Sequence, residues 1–336
     1  MTELLKSLCE LNAPSGSEAN VAEFIKTQID GFCEYKTDNL GNIIAFKKGK
    51  NTSAKKLMVD AHMDEVGIII TYITAEGFLK FKTVGAIDTA SLMGKRVKIN
   101  SEITGVVGSK AVHLISAEEA KKCPEKESLY IDIGAKSKAE AEEIISLGDY
   151  GVIDEPFIVS GEKVMSKAID DRIGCAILIK LLQMTSEYDF YATFTTGEEI
   201  GLRGAKTAAY SVNPDSAIIL EATTAADIAG VSKENRVCVL GEGAAVSFMD
   251  RATVYDRAYY NAALNSGIKC QSKCAVTGGN NSGVVHLNRN GVRTLSISVP
   301  CRYIHTASCV ADKRDFESAL TLSKYMINKI CSGSLE

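Results

Sequence analysis

A regular alternation of apolar strand-like and helix-like segments is interrupted once, between His62 and Asp170, by a run of short strands with almost no helix among them. That interruption constrains the fold more than any other feature. Alternation builds an open α/β sheet with helices on its faces, whereas short glycine-punctuated strands build a small β-rich unit. The α/β part begins with a helix over 2–11. A second helix is predicted to start at the capping-box spacing Ser15 to Glu18, with Val21, Phe24, Ile25 and Ile29 on its apolar face. Strand-like pieces at 34–37 and 42–46 lead to an apolar strand ending at His62. From about Val66 the texture changes. Short strands are expected at 67–73, 78–83, 96–100, 104–108 and 128–134, with one helix-like piece near 138–145. Alternation resumes near Val159. With 336 residues the chain exceeds the ~250–300 at which one hydrophobic core stops growing, so two packed units follow. The first comprises 1–66 and 160–336, and the second is an insertion over 67–159. No internal repeat or low-complexity segment is present.

The candidate functional residues sit where the strands end. The run Leu57-Met58-Val59-Asp60-Ala61-His62 presents an imidazole at the carboxyl edge of a sheet, where open α/β folds bind ligands, and Asp64 can orient that ring. The strand at 190–195 runs into Gly197-Glu198-Glu199, and the apolar run 217–220 ends on Glu221. Another strand at 294–299 precedes Arg302-Tyr303-Ile304-His305. Asp170 starts the apolar helix whose run is 173–184. Four candidate ligands thus follow predicted parallel strands, and the fifth opens a helix.

His62, Asp170, Glu199, Glu221 and His305 form a nitrogen and oxygen donor set that suits zinc, cobalt or manganese rather than calcium or an iron–sulfur cluster. Five donors exceed what one catalytic zinc uses, and a bridging carboxylate lets such a set hold two divalent ions. A pair of ions acidifies a water between them. A further carboxylate must then stay free to take its proton, and Glu198 is the candidate.

Composition removes several alternatives. A net charge of −4 without a basic stripe argues against nucleic acid or an anionic membrane as partner. The N-terminal residues lack a signal-peptide layout, and no apolar run approaches the ~20 residues that span a bilayer, so a cytoplasmic protein is expected. The ten cysteines are scattered without a Cys-x-x-Cys pair, which fits reduced core thiols.

The blocks Ala61-His62-Met63-Asp64-Glu65-Val66-Gly67, Asp170-Asp171-Arg172-Ile173-Gly174, Glu198-Glu199-Ile200-Gly201-Leu202-Arg203-Gly204-Ala205 and Arg302-Tyr303-Ile304-His305 resemble the signature of the tetrahedral, dinuclear-metal aminopeptidases. That family includes glutamyl and deblocking aminopeptidases, and some members carry a cellulase or endoglucanase label. The resemblance covers essentially the whole chain. It implies a zinc-peptidase-like mixed sheet flanked by helices, with a barrel-like dimerisation domain inserted. It also implies that Asp170 bridges two metals, that His62 and Glu221 complete one, and that Glu199 and His305 complete the other. By the same resemblance Asp64 orients His62, Glu198 is the general base, peptides are the substrates, and dimers assemble into a hollow dodecamer. The chain departs from the pattern in two places. Glu221 stands where Asp is usual, and Gly278-Gly279-Asn280-Asn281 replaces Gly-Gly-Thr-Asp.

Two other function classes compete with exopeptidase hydrolysis. A glycoside hydrolase of endoglucanase type needs acids facing one another across ~5–9.5 Å, which adjacent Glu198 and Glu199 do not naturally provide. A non-catalytic assembly protein would be one whose site has drifted at Glu221 and Asn281. A cysteine nucleophile would require His113 or His286, both read as packing or surface residues. Gly241-Glu242-Gly243 is read as a turn, and Cys270 with Cys274 as packing residues.

Overall fold

The computed structural model describes residues 1–335, the side chain of His113 excepted, so the reading of that histidine lies outside the described residues. An 11-stranded mixed sheet carries the α/β part. At its centre four parallel strands lie side by side in the order Phe190–Thr195, Leu57–His62, Ser216–Thr224 and Arg293–Arg302. Leu57, Met58, Val59 and Ala61 have no exposure, as expected for parallel strands covered on both faces. Helices Ile169–Gln183, Lys313–Cys331, Thr2–Glu10 and Ala19–Ile29 bury one face through Ile173, Ile177, Leu322, Leu5 and Ile25. Helix Arg203–Val212 covers the other with Ala205, Ala208 and Ala209 against Met58 and Ile219. Antiparallel strands extend both edges.

The interruption folds as a closed barrel of six antiparallel strands, in the order Gly67–Ile73, Leu79–Val84, Tyr130–Asp132, Ile103–Gly108, Arg96–Ile99 and Tyr150–Ile153. Ile68, Ile70, Leu79, Val97, Ile99 and Ile131 fill it, each from an alternate position along its strand. The strand before the barrel ends on His62, and a pair of antiparallel strands, Ile158–Ser160 and Lys163–Ser166, leads from the barrel to the helix that begins at Ile169. No helix among the described residues is long and apolar enough to cross a membrane.

Several local expectations need correction. Ser15 and Glu18 do not form a capping box. Ser15 donates to Asp64 at 2.6 Å, while Glu18 accepts the Gly197 N–H at 3.0 Å, and helix Ala19–Ile29 starts without a side-chain cap. Tertiary partners outbid the local ones because both side chains are buried beside the strand ends. Glu221 does not follow a strand end either. Its strand continues to Thr224, paired along its length with Arg293–Arg302. The helix near 138 is a short Lys138–Glu142.

Candidate metal centre

Register delivers the ligands to one place. Thr195 is paired with His62 in the parallel ladder, so the chain leaving Thr195 brings Glu198 and Glu199 alongside the imidazole. Glu221, one strand further, points its carboxylate to within 3.7 Å of His62 Nε2. Asp170 lies between the two histidines. Its Oδ1 is 3.4 Å from His62 Nε2 and its Oδ2 is 3.3 Å from His305 Nε2. Glu199 Oε1 stands 3.1 Å from the same His305 nitrogen. All five sequence-predicted ligands are therefore brought together, and Glu198 lines the cavity beside them. His305 sits in a turn with φ +61°, after Tyr303 at +59°. That turn is tied down by Arg302, whose guanidinium grips Asp227 with bonds of 2.7 and 2.8 Å.

The tautomer of His62 follows from its neighbours. Nδ1 lies 3.1 Å from the Asp64 carbonyl, which can only accept, so Nδ1 carries a hydrogen and Nε2 is the ring atom that faces Asp170 and Glu221. The Asp64 carboxylate, 3.3 Å from Nδ1, spends its oxygens elsewhere as well, accepting from Ser15 and from the backbone N–H groups of Glu198 and Glu199.

Crowded acids dominate the electrostatics. Burial, reinforced by Glu199, Asp170 and Asp64 against the pull of His62, pushes the Glu198 carboxyl up to about 8. Burial and the neighbouring Asp171 hold Glu221 well above the ordinary carboxylate range. Burial depresses the imidazole of His305, but Asp170 and Glu199 outweigh it and carry the ring up to about 11. For His62 the same contest between burial and the acids Glu221, Asp170 and Asp64 ends well above its usual value. Acids crowded this closely in a buried cavity favour added positive charge. Two buried oxygens, Asp170 Oδ1 and Glu221 Oε1, have no hydrogen-bond partner, and Asp170 Oδ1 faces His62. This nitrogen and oxygen donor set with unpaired buried oxygens fits divalent cations.

Sequence reasoning missed Asp171. Its carboxylate lies within ligand distance of His62 and Glu221, but both oxygens are already committed, one to the His62 N–H at 3.2 Å and one to the Gly174 N–H at 3.0 Å. A Cβ on Gly174 would collide with that carboxylate, so glycine is required there. Asp171 is thus a brace between the strand and the helix, while Asp170 keeps one oxygen toward each histidine. Also missed was the buried trio Glu65, Lys167 and Arg172. Lys167 contacts both Glu65 oxygens at 2.8 Å, and Arg172 donates to Glu65 at 3.1 Å and to the Met63 carbonyl at 2.9 Å. The Asp-Asp-Arg block was the available signal, since an arginine within an apolar helix start needs an acid partner.

Fold and site together define a metal-dependent peptidase of the α/β class. The chain belongs to the M42 glutamyl aminopeptidase family, whose model matches residues 41–322. The chain is similar to the lysyl aminopeptidase of Pyrococcus furiosus, at 31% identity over 98% of this chain and 97% of that one. Its backbone is similar to a TET aminopeptidase from a marine-sediment Thaumarchaeota archaeon, with TM-score 0.94 and 32% identity over 99% of this chain and 97% of that one. It is also similar to the Pyrococcus horikoshii TET1 peptidase, which can assemble into a tetrahedron or a large octahedral shell. There the TM-score is 0.84 and identity 31%, over 96% of this chain and 97% of that one.

Proposed function

We propose that this chain removes N-terminal residues from peptides using two divalent ions, zinc, cobalt or manganese, one held by His62, Asp170 and Glu221 and the other by Asp170, Glu199 and His305. The observation that carries the reading is Asp170, which turns one oxygen toward each histidine and leaves a buried oxygen unpaired. Bound divalent cations would supply the charge that acidifies an attacking water and offsets negative charge growing on the peptide carbonyl. The protein groups have separate tasks. Glu198 takes the proton of the attacking water and returns it to the departing amine nitrogen, a role suited to a carboxyl held near neutrality by burial. Asp64 fixes that carboxyl in place through its backbone and keeps His62 in the productive tautomer. Because Asp64 accepts consecutive N–H groups, Glu198 and Glu199 are held side by side and not across a cleft, an arrangement unlike that of paired glycosidase acids.

The cavity at these residues holds about 180 Å³, below the ~300–1,000 Å³ of common small-molecule sites, and suits one terminal residue. The barrel would join copies into dimers, and dimers into a dodecamer with sites facing inward, in the cytoplasm. Support for assembly is the likeness to TET1, together with exposed Tyr72, Ile144 and Leu147 in the barrel region. The test is hydrolysis of amino-acid anilides before and after a chelator. Loss of activity with the chelator, and its return with zinc, cobalt or manganese, is expected. Turnover that survives exhaustive metal removal would overturn the reading.

A further inference from the structure

The proposed ligands are not fixed by equal means. His62 and Glu221 lie inside strands, paired with Thr195 and Ser298 in the parallel ladders, so the sheet itself holds them. His305 lies outside any strand. Its strand ends at Arg302 and the next begins at Cys309, which leaves it in the connection 303–308. Its side chain is 33% exposed, against 1% for that of His62. Tyr303 and His305 both adopt left-handed backbone, with φ of +59° and +61°. Residues with a side chain disfavour that conformation, and it persists only where the surroundings impose it.

Two anchors impose it here. At the entry to the turn, Arg302 donates from Nε and Nη2 to the two oxygens of Asp227, at 2.7 and 2.8 Å. At the exit, Ala307 is 4% exposed within the apolar cluster that fills the barrel. Asp227 is itself held, since its carboxylate, 4% exposed, also accepts the Leu240 N–H at 3.1 Å. Burial raises this carboxyl, but the Arg302 and Leu240 donors outweigh burial and keep it charged.

Asp227 also follows the strand that carries Glu221. The ladder between that strand and Arg293–Arg302 runs to the pair Thr224 and Cys301, and the Ala225 N–H adds a bond to the Cys301 carbonyl at 2.9 Å. Past that point the side chains of Asp227 and Arg302 continue the connection. The pair therefore ties the segment bearing Glu221 to the segment bearing His305, and its two-pronged geometry fixes direction as well as distance.

We propose that Asp227 is a positioning residue for His305. Through Arg302 it holds the turn 303–308 in the conformation that delivers the imidazole to Asp170 and Glu199, and it sets the affinity for the ion held there and not for the other. This inference rests on the two-metal reading given above.

The test pairs cobalt(II) titration with amide hydrogen exchange on the full chain, comparing the parent with Asp227→Asn and Arg302→Lys. Two binding steps are expected in the parent, and His305→Ala identifies the step to which that imidazole belongs. Asp227→Asn should weaken that step by ~10–10²-fold, the usual effect of removing a partner that holds a ligand from outside the coordination sphere, and leave the other step unchanged. Anilide turnover lost at limiting cobalt should return at saturating cobalt, which a damaged fold would not allow. In the metal-free chain, peptides covering 303–308 should exchange faster in the variant, with 57–62 unaltered. Arg302→Lys keeps the charge but not the fork and should show the same selective loss, and it decides the question if circular dichroism finds Asp227→Asn unfolded. Equal weakening of both steps, unchanged cobalt affinity, or unchanged exchange over 303–308 would overturn the inference. A parent chain that binds one ion would sink the two-metal reading instead, and the exchange of 303–308 would then decide the inference alone.

Discussion

The Asp64 carboxylate accepts the backbone N–H of Glu198 at 3.0 Å, so the residue placed to move a proton is positioned by the residue that also faces the ring of His62. Glu199 is held by the second oxygen of the same carboxylate, at 3.1 Å. One buried acid thereby sets the spacing between a proposed base and a proposed ligand. Their side chains diverge from that common anchor, with Glu199 reaching His305 at 3.1 Å.

The two glutamates should therefore fail differently. Glu198→Gln keeps the shape but cannot accept a proton, and kcat should fall by at least ~10²-fold while metal content and assembly are retained. Glu199→Gln should lose metal affinity along with activity. Near-normal turnover in Glu198→Gln, or a loss that only follows lost metal, would shift the base to Asp64.

Asn281 marks a second dependence. Its amide donates to Asp60 at 2.8 Å and to Thr195 at 3.0 Å, so the turn bearing Gly278, Gly279 and Asn280 is pinned to the floor beneath His62. Asn281→Asp would set two buried carboxylates against each other and should destabilise the fold by ~3–5 kcal/mol in urea denaturation. Adding Asp60→Asn restores one donor to the pair and should recover much of that loss. Additive effects of the two changes would show that the pair is not coupled.

Asp315 gives a pH signature away from the metal centre. Burial pushes its carboxyl up to about 6, although the Gly241 and Gly243 N–H groups bind it at 2.8 Å each. A folded-state value above the unfolded one means that its contribution is full below pH ~4 and is lost as pH rises through about 6. Asp315→Asn should flatten stability between those limits relative to the parent chain, read by denaturation at fixed protein concentration. An unchanged slope would contradict the assignment.

Assembly is tested by removing the barrel. The intact chain should scatter light as a large homo-oligomer at micromolar concentration, and excision of 67–159 with a short linker should leave a monomer. A monomeric intact chain would contradict the proposed role of the barrel.

Much of this was legible in the sequence because the signals were periodic or terminal. An apolar strand ending on His62 and another running into Glu198 and Glu199 announced the sheet edge, and glycine-punctuated short strands announced the barrel. Glu221 was singled out beside His62 but misplaced at a strand end, since burial on both faces gives no alternation to show where a parallel strand stops. Ser15 and Glu18 were misread because a local motif cannot reveal a competing partner such as Asp64 or Gly197, more than 45 residues away. Asp171 and the pairing of Lys167 with Glu65 were missed for a related reason. Whether a carboxylate is a brace or a ligand, and whether a lysine is paired, depends on contacts that close only in three dimensions.

The most direct measurement of the central claim is the metal content of the purified, metal-saturated chain by elemental analysis. Two divalent ions per chain are expected, with both removed or severely weakened in Asp170→Asn, because that residue faces both histidines. One ion per saturated chain, or an Asp170→Asn variant that retains both, would contradict the two-metal centre on which the proposed chemistry rests.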